Sequence, residues 1–291
     1  MRNILVTGAT GTFGKYAVEF LLKKNTDDKI AALVRNPDKA LELREKGVEI
    51  RIGNYNEISS LEKAFEGIDK VLFISSSEIA DRVKQHENIV NAFKRAKVNH
   101  VVYTSFQRKN ETDTSPISFV SKSHLLTEKW LKESGINYTI MQNTVYLDML
   151  PLFMGQKAIE TGNIIYPAGE GKSAFATRKN MAEAAANILT SENHENKIYK
   201  IFNVETFTLK DAADILSSIT GKKIIYVSPS QGDYRKALKD AGLPQDAIEG
   251  AAGFGEAIKQ GEFEETSKDL ENLLGRKPTL LNEFLNSVYK K

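Results

Sequence analysis

Short apolar runs alternate with stretches in which apolar residues recur every three or four positions, and the alternation continues past position 140. Six runs, Ile4 to Thr7, Ile30 to Val34, Glu49 to Ile52, Val71 to Ser75, His100 to Ser105 and Tyr138 to Met141, have the length and branched residues of buried strands. Between them the spacing predicts helices over 13–24, 38–46, 57–66, 80–96 and 122–134. The helix over 80–96 illustrates the pattern. Val83, Ile89, Val90, Phe93 and Ala96 lie mostly on one stripe, while Arg82, Lys84, Glu87, Lys94 and Arg95 face away, as on a helix that covers a sheet.

Strand and helix in strict alternation predict an α/β fold: a Rossmann-type, doubly wound parallel sheet covered on both faces. After Pro151 the texture changes. Gly155, Gly162, Gly169 and Gly171 crowd one stretch, Asn180 is placed to cap a helix ending near Leu189, and Lys197 to Asn203 reads as another strand. Helices near 209–219, 233–240, 246–259 and 278–289 follow with one strand, Ile224 to Val227, and KDLENLLGRK reads as a solvated amphipathic helix end. The expected division is a dinucleotide-binding domain over 1–150, completed by a strand and helix within 176–204. Residues 151–291 then form mainly a smaller C-terminal substrate lobe.

Composition narrows the chemistry. With 291 residues the chain can bury a large core without staples. It has no cysteine, which removes disulfides and thiolate ligands and fits a reducing compartment, so a cytoplasmic setting is expected. No run approaches the roughly 18 apolar residues of a membrane span, and no secretory signal pattern precedes the first strand. A formal charge of +2, from 40 basic and 38 acidic residues, argues against nucleic acid as a partner. The four histidines, His86, His100, His124 and His194, are scattered, so no metal is expected. No GxSxG or GxxxxGK[ST] signature is present.

The strongest local signal is ILVTGATGTFGKYAVEF, where Gly8, Gly11 and Gly14 separate a strand from a helix. This GxxGxxG spacing differs from GxGxxG. It still meets the same needs: a tight turn, an open path to a pyrophosphate, and close helix packing, with unpaired amides and the helix dipole favouring an anion. An ordinary glycine-rich turn is the competing reading. Cofactor contacts are therefore expected from Gly8, Thr10, Gly11, Thr12, Phe13 and Gly14. The second strand ends in AALVRNP, which puts Arg35 where an NAD-specific chain carries a carboxylate. A guanidinium there suits a 2'-phosphate, with Lys39 assisting, so NADPH is the expected cofactor, with NADH allowed.

A YxxxK proton-donating pair is absent, since no tyrosine has lysine four positions on. If Glu128 in SKSHLLTEKWL anchors the comparison, Val120 and His124 occupy the two slots. A quinone or similar planar, electrophilic acceptor then becomes the expected substrate, because its reduced anion is stabilised and water can protonate it. His124 is left with three readings: proton donor, ribose contact, or a solvent-facing helix residue. LFISSSE places Phe73, Ile74, Ser75 and Ser76 at one strand end, and VVYTSF places Thr104, Ser105 and Phe106 at the next. Asn143, at the end of the sixth strand, is expected to face the nicotinamide carboxamide or the acceptor, with Tyr146 behind it, and Phe153 and Phe175 are candidates for an apolar wall or for core.

The chain resembles the NmrA-like group of atypical short-chain dehydrogenases/reductases, in particular its quinone- and triphenylmethane-dye-reducing members. The resemblance spans nearly the whole chain through VTGATGTFG, ALVRNPDKA, LFISSSE, QHENIVNAFKRAKV, YTS, SGINYT, AGEGKSAFATR and ETSKDL. It implies that Gly8 to Phe13 hold the pyrophosphate, Arg35 the 2'-phosphate, Phe73 to Ser75 the adenosine side, and Asn143 the nicotinamide. It also implies an enzyme that uses NADPH without flavin or metal, with a homodimer allowed. The other reading is an NADP(H)-sensing regulatory protein without turnover. Two residues depart from the group's pattern: Gln142 stands where arginine is frequent, and Asn180 where aspartate is.

Overall fold

A computed structural model describes residues 2–24 and 26–290. The first part runs β1 (Asn3–Val6), α1 (Thr12–Lys23), β2 (Lys29–Val34), α2 (Leu41–Glu45), β3 (Glu49–Ile52), α3 (Ile58–Phe65) and β4 (Lys70–Phe73). It continues through α4 (Arg82–Arg95), β5 (His100–Phe106), α5 (Ser118–Glu133) and β6 (Asn137–Asn143). Then come α6 (Leu150–Met154), α7 (Ala158–Thr161), β7 (Asn163–Ile165), α8 (Arg178–Thr190), β8 (Lys197–Ile201), α9 (Leu209–Thr220) and β9 (Ile225–Val227). Four helices close the chain: α10 (Gln231–Asp240), α11 (Gln245–Lys259), α12 (Asp269–Leu274) and α13 (Leu281–Tyr289).

Seven parallel strands form one sheet in the order β3-β2-β1-β4-β5-β6-β8. Side chains alternate across it as the pleat requires. Ile4 and Val6 face the layer of α1 and α8, whereas Leu5, between them, faces the layer of α3, α4 and α5. Small residues on α8, Ala182, Ala185 and Ala186, lie in one cluster with Ala17, Val18 and Leu21 of α1. A third cluster, around Phe153, Tyr166, Phe175 and Phe263, fills the later part of the chain, where β7 and β9 form a separate two-stranded sheet.

Several local expectations are corrected. Asn180 does not cap α8: Thr177 does, its hydroxyl accepting from the Asn180 N–H at 3.2 Å, while Asn180 Oδ1 accepts from the Thr279 amide at 2.8 Å. The hydroxyl sits one residue before the helix, where it can reach the third amide of the first turn. KDLENLLGRK is not a purely solvated end, because Leu270 is fully buried in the cluster with α8. β4 ends at Phe73, two residues short of the expected Ser75, because Ile74 N–H is taken by Thr7 Oγ1 at 2.9 Å and Ser75 N–H by Thr104 Oγ1 at 2.9 Å. No helix among the described residues is long and apolar enough to cross a membrane.

Candidate active site

The sheet reverses its winding between β1 and β4, and a crevice opens there at the carboxyl ends of the strands. β1 feeds α1 through a turn closed by Gly11 N–H to Gly8 O, 3.0 Å. Gly8 has φ +58°, a left-handed conformation that glycine adopts without penalty. A Cβ at Gly14 would lie 2.3 Å from Gly8 O, so only glycine lets the helix approach the turn this closely. No side chain caps α1 and its first turn has no acidic residue, so its leading amides are free for an anion.

Gly8, Thr10, Gly11, Thr12, Phe13 and Gly14 line a cavity of about 390 Å³ together with Arg35, Ile74 and Ser75. Arg35 stands just beyond β2, with its side chain largely exposed, and its Nη1 donates to Glu78 Oε1 at 2.6 Å. Lys39 is exposed and does not line the cavity. Phe73 is a correction. Its ring is fully buried against Phe93, Tyr103 and His86 on the side of the sheet covered by α3, α4 and α5, and it lines neither cavity of the crevice.

Beside it lies a larger, mostly apolar cavity of about 600 Å³, roofed by the later part of the chain. Ser75 and Arg178 line both spaces, so the two adjoin. The larger one collects Ser105, His124, Asn143 and Tyr146 from four different segments, with Phe106, Phe153, Tyr166 and Phe254 as aromatic walls. Phe175 lies behind Phe153 in the core, at a centroid distance of 6.2 Å. Asn143 is 2 % exposed, and both its amide atoms lack a protein partner. A buried amide in that state is completed by a ligand or by water.

His124 is buried, which corrects the solvent-facing alternative. Tyr103 Oη lies 2.7 Å from its Nδ1. Burial raises the Tyr103 phenol above its ordinary value, so it keeps its proton and needs an acceptor, which Nδ1 provides. The hydrogen of the neutral ring is then on Nε2, free to donate. Burial, followed by the nearby Arg82, His86 and Arg108 charges, holds His124 well below the usual imidazole range. It is a neutral donor rather than an acid titrating near pH 7.

Glu128, on the same helix, anchors the layer beneath. Arg108 Nη1 and Nη2 grip its two oxygens at 2.8 and 2.9 Å, and the Ser105 hydroxyl donates to it at 2.5 Å. With its proton engaged there, Ser105 Oγ, which also accepts from Arg108 Nη1 at 3.5 Å, meets the cavity as an acceptor. Arg82 gave no sign in the sequence, since it stands opposite the apolar stripe of α4. It is only 7 % exposed and lines the larger cavity. Arg178, whose guanidinium sits 4.2 Å from the Tyr146 ring centroid, also went unflagged. No group of three potential metal ligands gathers among the described residues.

The sequence pattern of the NmrA-like family matches residues 1–285. Quinone oxidoreductase 2 of Escherichia coli (strain K12) is 37% identical over 286 residues, covering 98% of each chain. Triphenylmethane reductase of Citrobacter sp. superposes with a TM-score of 0.91 at 37% identity, covering 99% of this chain and 100% of that one. The NADPH complex of the Escherichia coli quinone oxidoreductase superposes with a TM-score of 0.89 at 37% identity, covering 98% and 99%.

Proposed function

The chain belongs to the NmrA-like family, and from that premise we propose that it is an NADPH-dependent oxidoreductase acting on a quinone or similar planar, electrophilic acceptor. The observation that carries the reading is the adjacency of two unlike spaces that share Ser75 and Arg178. A polar groove at the uncapped start of α1 meets, at Ser75 and Arg178, an aromatic-walled cavity with room for a flat ring.

The residues fit an NADP(H) molecule. The free amides of Thr12 and Phe13 suit the pyrophosphate, the Arg35 guanidinium a 2'-phosphate, and the unpartnered Asn143 amide a carboxamide. When bound, the reduced nicotinamide supplies a hydride. The chain's own residues do the rest. Aromatic walls exclude water and set the plane of the acceptor. His124 offers a fixed, neutral N–H to an oxygen on which negative charge builds, so stabilisation needs no proton transfer. Proton delivery falls to solvent, which is sufficient for a phenolate-like product.

The test mixes purified protein with NADPH and a panel of benzoquinones and naphthoquinones, following nicotinamide absorbance. Acceptor-dependent loss is expected, faster with NADPH than with NADH. Tight NADP(H) binding with no turnover on any acceptor would favour the sensing role instead.

A further inference from the structure

Arg82 is a buried cation without a counter-charge. It opens α4 and is 7 % exposed, yet among the described residues its only hydrogen bond runs from Nε to Ser76 O, at 2.6 Å. Among the described residues it enters no ion pair, whereas the comparably buried Arg108 is matched by Glu128. Its two terminal nitrogens have no protein acceptor, and the residue lines the acceptor cavity. The cavity wall holds Arg82 and Arg178 but no aspartate, glutamate or lysine. A desolvated guanidinium is costly to leave unpaired and gains strongly from an oxyanion, which it grips through two parallel N–H donors.

We propose that Arg82 is an anion-recognition residue of the acceptor site, and that the preferred acceptors are flat aromatic molecules carrying an acidic substituent such as a sulfonate, carboxylate or ionised hydroxyl. The inference rests on the reading of this cavity as the acceptor site. It separates acceptor classes by charge: a cationic aromatic would meet Arg82 and Arg178 with no carboxylate to receive it, and is disfavoured. Arg178, shared with the cofactor groove, belongs to the junction, so discrimination within the cavity falls to Arg82.

The test measures binding, so it does not depend on turnover. Naphthalenesulfonate and its neutral isostere naphthalenesulfonamide are titrated calorimetrically into the NADP⁺-loaded protein. The sulfonate is expected to bind about tenfold more tightly, the range of a charge-assisted contact, and Arg82→Gln is expected to abolish that preference while changing sulfonamide and NADP⁺ affinity by no more than about twofold. Arg82→Lys should keep part of the preference. Equal affinity of the two probes for the wild-type protein overturns the proposal, even if Arg82→Gln does not fold. So does an equal loss of both probes in the variant, which would mark Arg82 as structural. Failure of quinone turnover with the sulfonate preference intact would instead count against the reductase reading alone.

Discussion

At the scale of single residues, selectivity for the cofactor turns on a competition. A 2'-phosphate at Arg35 competes for Nη1 with Glu78, which lines the same groove and also accepts from Gln85 Nε2 at 2.7 Å. Hydrogen bonding from Gln85, then from Arg35, keeps the Glu78 carboxyl below its usual range, so it is charged when NADPH arrives. The Arg35–Glu78 pair is exposed and its loss is cheap. Glu78→Gln should therefore tighten NADPH by up to about fivefold, the scale of an exposed ion pair, without affecting NADH. Arg35→Glu should weaken NADPH by more than about tenfold, since it loses a charge-assisted contact and gains a repulsion. Parallel titrations of both nucleotides measure the two effects. An unchanged preference in Arg35→Glu would remove Arg35 from the site.

At the scale of elements, the start of α8 does two tasks. It places Arg178 at the junction of the cavities and packs small residues on α1, the helix that presents its amides to the groove. Its geometry depends on the Thr177 hydroxyl and on Asp148, whose carboxylate accepts from the Arg178 N–H at 2.8 Å. Thr177→Ala should cost about 1 kcal/mol, the usual value of a lost helix cap. Urea unfolding would show this as a lower midpoint at unchanged slope. Asn180→Ala, by contrast, should spare the cap and loosen the contact with Thr279. If Asn180→Ala gave the cap-sized loss and Thr177→Ala none, the assignment would be reversed.

At the scale of the whole molecule, several buried imidazoles make the fold sensitive to acid. Burial pushes His86 down to about 3 and His100 down to about 4, and His124 lies well below its ordinary value for the same reason. The internal bonds demand neutral rings. Thr127 gives its proton to Ser123 O, so it accepts from His86 Nδ1, and Ser76 N–H donates to His86 Nε2. Below about pH 6.5 the unfolded chain takes up protons that the fold refuses, so stability falls as pH falls. Each group contributes up to about 1.4 kcal/mol per pH unit, until its folded value is reached. From about pH 6.5, where the unfolded imidazoles are half protonated, down to about pH 5, three such groups should give a slope that steepens from about 2 toward about 4 kcal/mol per unit, read from denaturant midpoints across that interval. The half-buried His194 adds in the same direction. A flat profile there would mean that these rings are protonated in the fold.

The sequence alone determined the alternating strands and helices, the glycine turn and the seat of Arg35. Each is set within a few residues by side-chain period, by backbone freedom at glycine, or by the position that follows a strand. It also pointed to Ser105, His124, Asn143 and Tyr146, because residues at strand ends and on the following helix or loop face the crevice in this fold. The tertiary structure decided which polar groups are buried and in what company. By period Arg82 belongs to the wet side of α4. It lies instead under a cavity whose other walls come from Phe153, Tyr166, Tyr234 and Phe254, far along the chain. The strand pattern that brought Phe73 to the end of β4 does not show which face its ring takes, and it points into the layer of α3, α4 and α5. Burial is a property of neighbours brought together by packing, and a local pattern carries no record of elements that arrive from seventy or more residues away.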